Sequence, residues 1–203
     1  MSSSRFPGKV LAPLHGRPIL HHVIAAARAV AAVVDVRHVA VATSTQPSDD
    51  PLAAYASVLG VTVVRGPLDH VLERFRQCAR LFGTEWIVRL SADSPLVDPF
   101  VIEHVMQARL ERAYDVVTTV FPRTFPKGQN VEVIRTSALL ALRDTELTDD
   151  DREHVTAFFY RHPDRFLIRN IESNGPGPGD RSVAVDTLDD LRRLERLAPR
   201  ATA

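Results

Sequence analysis

One cysteine, Cys78, stands among 203 residues. No disulfide can close within the chain, and no thiolate cluster can hold a metal, which reads as a reducing compartment. Excess charge is lacking too: 25 Lys and Arg balance 25 Asp and Glu for a formal charge of zero. No global field therefore draws the protein to nucleic acid or to an anionic membrane, and any phosphate chemistry is local. Long apolar runs are missing as well. The longest, VIAAARAVAAVVDV, is broken by Arg28 and Asp35 and falls short of the roughly 20 residues that cross a bilayer. No basic segment followed by an apolar one opens the chain, so no secretory leader is expected and the location is expected to be cytoplasmic. No GxGxxG follows a strand pattern and no Ser, His and Asp set sits in a nucleophile-elbow context, so dinucleotide and serine-hydrolase readings drop away.

What is present is an alternation. VRHVAVAT (36–43), VTVV (61–64) and WIVRLS (86–91) are β-branched or aromatic runs bounded by turn residues, as buried strands are. Helical patterns at 19–30, 51–59 and 71–82 lie between them, the last with Val71, Phe75, Cys78 and Ala79 on one face. This order predicts a mostly parallel sheet flanked by helices. Asp98 is expected to cap a helix opened by Pro99. YDVVTTV (114–120) and NVEVIR (130–135) predict a pair of strands forming a small antiparallel excursion around the loop FPRTFPKGQ. Thr136 and Thr148 stand at expected helix caps, ahead of SALLALRD and DDREHVTAFFYRH. FLIRNI (166–171) and RSVAVD (181–186) predict late strands. Thr187 with Asp190 forms an expected capping box for a last helix with leucines at 188, 191, 194 and 197. With no repeat and no long linker, residues 1–203 are read as one domain.

In open α/β sheets, ligands bind beyond the carboxyl ends of the strands. Asp93 follows WIVRLSA and Asp186 closes RSVAVD, so both carboxylates are expected at that edge, where they can meet over one site. Two such groups match Mg²⁺, which takes one or two protein carboxylates plus substrate phosphates. The alternative is local: Asp93 belongs to an Asp-Ser-Pro turn and Asp186 merely precedes a helix. Arg5 and Lys9 flank Pro7 and Gly8, an arrangement able to gather cations and amides around a polyphosphate; a solvated terminus is the plainer reading. It is not a Walker A loop, because Ser3 and Val10 stand where that motif needs Gly and Ser or Thr. His21 and His22 are adjacent on a helix and so do not share a face, which leaves them structural. His154 beside Glu153 can act on an acceptor hydroxyl, although an ordinary amphipathic helix carries such pairs too.

Taken in order, SRFPGKVL, VATST with DD, RGPLDHVLERF, LSADSPLVDP, RTFPKGQNVEV, REHVT and VDTLDDL resemble the cytidylyltransferase family typified by spore coat polysaccharide biosynthesis protein F, relatives of the synthetases of CMP-activated keto-sugar acids. The resemblance covers nearly the whole chain. It implies a three-layer Rossmann-like nucleotidyltransferase fold and transfer of CMP from CTP to a sugar-like acceptor, acidic or amino, with release of pyrophosphate. By similarity Ser4, Arg5 and Lys9 hold the triphosphate, and Asp93 and Asp186 bind Mg²⁺. Thr43, Ser44, Arg65 and Gly66 match the nucleoside segments; Lys127, Asn130 and Glu132, with Glu153 and His154, match the acceptor side. Relatives usually carry an acidic residue where Asn130 stands, so acceptor choice is open, as is the choice of base. Dimers are common in the family, and a homodimer is one oligomeric state the resemblance implies. In the family an apolar strand at the centre of the sheet leads into the SSSR loop. None precedes Met1 in the sequence, and a gap in the sheet is the expectation.

Overall fold

The computed structural model describes residues 5–31, 36–175 and 182–197. Strands β1 (Pro13–Leu14) and β2 (Arg17–Pro18) form a short hairpin leading into helix α1 (Ile19–Ala31). Strand β3 (Ala40–Ser44), helix α2 (Asp50–Val58), strand β4 (Thr62–Gly66), helix α3 (Val71–Phe82) and strand β5 (Trp86–Arg89) follow in the expected alternation. Helix α4 (Pro99–Ala108) opens as predicted, with the Asp98 carboxylate accepting the Phe100 amide at 3.0 Å and Pro99 in the first turn. Strands β6 (Val116–Thr118) and β7 (Glu132–Arg135), helices α5 (Thr136–Ala141), α6 (Asp149–Glu153) and α7 (Ala157–Arg161), strand β8 (Ile168–Asn170) and helix α8 (Leu188–Glu195) complete the order.

The strands fall into separate sheets. β3 pairs with β4 in parallel, while a four-stranded sheet runs β5-β7-β6-β8. Within it β7 lies antiparallel to β5 and β6, and β8 is parallel to β6. The expected antiparallel excursion is therefore the insertion of one reversed strand. Side chains alternate across this sheet as the period of two requires. Val117 and Val133 pack with α1 and α4 on one face; Val116 and Ile134 pack with Leu72, Leu139 and Phe158 on the other. Helices thus cover both faces of one sheet, giving three layers.

Three local expectations are corrected. Residues 182–186 form no strand; they are tied in by single bonds, from the Val183 amide to the Lys127 carbonyl at 2.7 Å and from the Val185 amide to the Asp93 carbonyl at 2.9 Å. The stretch DDREHVTAFFYRH is two helices, broken where His154 adopts extended backbone. Thr148 does cap, in a reciprocal box with Asp151, but Thr136 lies inside its helix with a buried hydroxyl that has no partner.

Candidate active site

The site begins with a backbone constraint. Gly8 has φ 73°, a conformation that favours glycine, and it turns the chain into a single helical turn at Lys9–Leu11. Val10 and Leu11 pack against the cluster around Leu20, Ile24 and Leu52. With its neighbours anchored, Lys9 projects inward and its side chain is only 13 % exposed. Its Nζ lies 2.6 Å from Asp93 Oδ2 and 3.1 Å from Asp186 Oδ1, residues 84 and 177 positions away in the chain.

Each carboxylate is held by its own element. Asp93 follows β5 in a turn where the Ser94 amide bonds the Ser91 carbonyl. Asp186 immediately precedes α8, and the Asp190 carboxylate accepts its amide at 3.1 Å while also accepting the amide and hydroxyl of Thr187, the predicted capping box. Lys127 donates to Asp186 Oδ2, and Arg5 lies 3.2 Å from Oδ1. Lys127 is placed by a close approach: a Cβ on Gly128, whose φ is 98°, would come within 2.6 Å of the Val183 and Ala184 backbone. The hydrogen bond from Lys127, then that from Lys9, holds the Asp186 carboxyl down at about 2, against the cost of burying its charge. Arg5, Lys9, Asp93, Asp186 and Lys127 thus come together as one cluster of three cations on two carboxylates. Ser4 lies outside the described residues.

Beside this cluster is a cavity of about 550 Å³ whose wall includes Lys9, Thr43, Asp49, Asp69, Arg74 and Glu153. Thr43 is buried, and its hydroxyl donates to Asp49 at 2.7 Å; Ser44 donates to the same oxygen from its amide at 2.9 Å and its hydroxyl at 2.6 Å. Burial pushes the Asp49 carboxyl up, but the hydrogen bonds it accepts, those from Ser44 and Thr43 among them, outweigh this and hold it well below the usual range. Arg74 and Asp69 were not singled out in the sequence, although both lie in RGPLDHVLERF. The Arg74 Nε is buried without a hydrogen-bond partner, and burial lowers the guanidinium's pKa.

Other expected site residues lie apart from this wall. Arg65 donates to the carbonyls of Ser44 and Gln46 and pairs with Asp50 at 2.7 Å, so it braces the loop after β3. Gly66 is buried where a Cβ would meet Arg74 and Gln77 at 2.8 Å; it allows α3 to approach β4. Asn130 accepts from Arg123. Glu132 is 2 % exposed and bound by Arg89, Thr156 and Tyr160, so it ties β7 to β5 and to the segment around α7 and is not presented to a ligand. The Arg89 charge keeps its carboxyl low despite burial, while burial and the Glu132 charge push the Tyr160 hydroxyl far up. Glu153 sits on the cavity rim; His154 is exposed, 3.6 Å from Asp150.

The donor set at Asp93 and Asp186 is purely oxygen, which suits a hard divalent cation that keeps waters and phosphate oxygens. Among the described residues no group of three or more His, Cys, Asp or Glu is placed to hold a metal unaided.

Residues 1–177 match the family model described as cytidylyltransferase. The chain is 30 % identical over 205 residues to spore coat polysaccharide biosynthesis protein SpsF of Bacillus subtilis, covering 99 % of this chain and 84 % of that one. It is 33 % identical over 203 residues to a 3-deoxy-manno-octulosonate cytidylyltransferase of Anaeromyxobacter sp. strain Fw109-5, covering 95 % and 80 %. Among solved structures, a cytidylyltransferase from Leptospira borgpetersenii superposes with TM-score 0.84 at 24 % identity, covering 96 % of this chain and 81 % of that one. That likeness shows the nucleotidyltransferase fold.

Proposed function

The chain belongs to the cytidylyltransferase family, and on that premise we propose that it transfers CMP from CTP to a sugar-like acceptor, an acidic or amino sugar, with release of pyrophosphate. The reaction serves polysaccharide or glycoconjugate assembly. Such a CTP-consuming step suits the cytoplasm, and among the described residues no helix is long and apolar enough to cross a membrane.

The observation that carries this reading is the meeting of Asp93 and Asp186 at Lys9 beside the Thr43 and Arg74 cavity. Arg5 and Lys9 take the triphosphate, exchanging carboxylate partners for phosphate oxygens. Asp93 and Asp186 are the residues to hold Mg²⁺, which when bound neutralises charge between nucleotide and acceptor. The nucleoside lies in the cavity, with Thr43, Asp69 and Arg74 on its wall. Lys127 and the rim residue Glu153 face the acceptor side. An acceptor oxygen attacks the α-phosphorus in line as the bond to the β-phosphate breaks. Charge grows on the departing pyrophosphate, and the positioned cations stabilise it without any protein nucleophile.

Pyrophosphate release measured with CTP, UTP and ATP against a panel of acidic and amino sugars tests the reading. CTP is expected to be preferred, and Asp93→Asn to lower turnover on the order of 100-fold or more with circular dichroism unchanged. Near-normal release by that variant, or equal use of the three nucleotides, overturns it.

A further inference from the structure

Asp93, Lys127 and Asp186 stand on separate stretches of irregular backbone, and one buried side chain spans the gap between the first two. Gln129 is 7 % exposed. Its Oε1 accepts the Asp98 amide at 2.8 Å and its Nε2 donates to the Leu96 carbonyl at 2.6 Å, across 31 and 33 positions of sequence. A side-chain amide can do both at once. Glu lacks the donor at neutral pH, and Met lacks donor and acceptor alike.

Each end of this bridge is tied to a charged residue of the site. On one side the Ser94 amide bonds the Ser91 carbonyl and the Val97 amide bonds the Ser94 carbonyl, both at 3.1 Å, so the turns that carry Asp93 run directly into Leu96 and Asp98. On the other side the Gln129 amide donates to the Pro126 carbonyl at 3.0 Å, closing a turn with Lys127 and Gly128 in its middle; the Gly128 φ of 98° suits that place. The Thr119 hydroxyl donates to the Gln129 carbonyl at 3.1 Å and accepts the Val131 amide at 3.0 Å, which fixes the turn to the end of β6. Residues 183–185 then lie across both segments, because the Val183 amide donates to the Lys127 carbonyl and the Val185 amide to the Asp93 carbonyl. The spacing of those carbonyls decides where Asp186 emerges, and Gln129 holds that spacing.

We propose that Gln129 is a positioning residue: its side-chain amide fixes the separation of Asp93 from Lys127 and Asp186, and with it the affinity of the two carboxylates for a divalent cation, a role that rests on the reading of Asp93 and Asp186 as the metal ligands. Both polar ends of Gln129 are occupied by backbone, so it acts through the carboxylates and not on the nucleotide. A hard cation holds its oxygens at a set distance, and groups that keep metal ligands in place are commonly worth about 10- to 100-fold in affinity.

Gln129→Met keeps the length of the side chain without its hydrogen bonds, and Gln129→Glu keeps only the acceptor. Mn²⁺ binding without nucleotide, followed by the EPR signal of the free ion, is measured for both and for Asp93→Asn. Leu142→Ala serves as a control, since it opens a hole in the buried cluster on the other face of the sheet and so lowers stability away from the site. Expected is a fall of about tenfold or more in Mn²⁺ affinity for both Gln129 variants, with a matching rise in the metal concentration that half-saturates turnover and a KM for CTP within about twofold at saturating metal. Leu142→Ala is expected to melt earlier and to bind Mn²⁺ as the wild type does. Wild-type affinity in both Gln129 variants, with a loss confined to Asp93→Asn, overturns the role of Gln129 and leaves the metal ligands standing. An equal loss in Leu142→Ala also overturns it, as an effect of stability alone. Affinity unchanged by Asp93→Asn overturns the reading of the metal ligands and this role together.

Discussion

Replacing Lys127 by Met removes the strongest partner of Asp186 while leaving Lys9 and Arg5 in place. The Asp186 carboxyl stands at about 2 in the folded protein against an ordinary 3.8. That difference corresponds to no more than about 2.5 kcal/mol at about 1.4 kcal/mol per pH unit. Lys127 is 54 % exposed, so solvent screening reduces its share, and we expect the variant to lose roughly 1 kcal/mol at neutral pH. Because the folded carboxyl is more acidic than the unfolded one, this stabilisation is complete above about pH 4 and disappears as pH falls toward 2. Wild type and Lys127→Met should therefore differ in urea midpoint at pH 7 and 5, and the difference should shrink below pH 4 and close as the pH falls through about 2. In the variant, carbon-detected NMR should show the Asp186 carboxyl titrating closer to its ordinary value. A stability difference that stays constant from pH 7 to 2.5, or an Asp186 titration identical in both proteins, would refute the electrostatic account of the cluster.

Asp49→Ala leaves the hydroxyls of Thr43 and Ser44 and the Ser44 amide without their shared acceptor; a loss of about 3 kcal/mol is expected by denaturant unfolding, and a loss under 1 kcal/mol would contradict the bonding described. Gly128→Ala places a methyl group against the Val183 and Ala184 backbone at a φ of 98°. A destabilisation of about 2 kcal/mol or more is expected, with a larger fractional loss of pyrophosphate release than of folded protein because Lys127 and Asp186 are displaced together. Unchanged melting would show that the approach is looser than described.

Asp93, Asp186 and Lys9 were legible because each ends or follows a local pattern: a β-branched run, a capping box, a Pro-Gly turn. Such signals need no knowledge of the partner. Arg65 and Gly66 lie on β4 beside the site, yet the Arg65 side chain is taken up by carbonyls of the neighbouring loop, a pairing that depends on which strand lies next to it. Glu132 illustrates the same limit, although one clue was available. In NVEVIR it shares a strand face with Ile134, two residues on, and Ile134 is fully buried. Its partners Arg89, Thr156 and Tyr160 are 43, 24 and 28 positions distant. Residues 182–186 read as a strand by composition, but only single hydrogen bonds to Lys127 and Asp93 receive them, and β-rich sequence without a partner edge stays irregular. Arg74 was hidden by its helix, where an arginine usually means a solvated surface; only the neighbouring Gly66 and the cavity give it another meaning.

Glu132 stands opposite Arg89 on β5 and opposite Thr118 on β6, and the Tyr160 hydroxyl lies 2.7 Å from it and 2.8 Å from Thr118 Oγ1. A slip of β7 by one residue against either neighbour would turn this carboxylate to the opposite face, among the valines under α1 and α4, with no guanidinium in reach. Stranding a buried charge in that way costs about 3 to 5 kcal/mol, a sizeable part of the stability of an ordinary domain. The ion pair therefore works as an alignment key: it penalises every neighbouring register, and it does so for both strands at once.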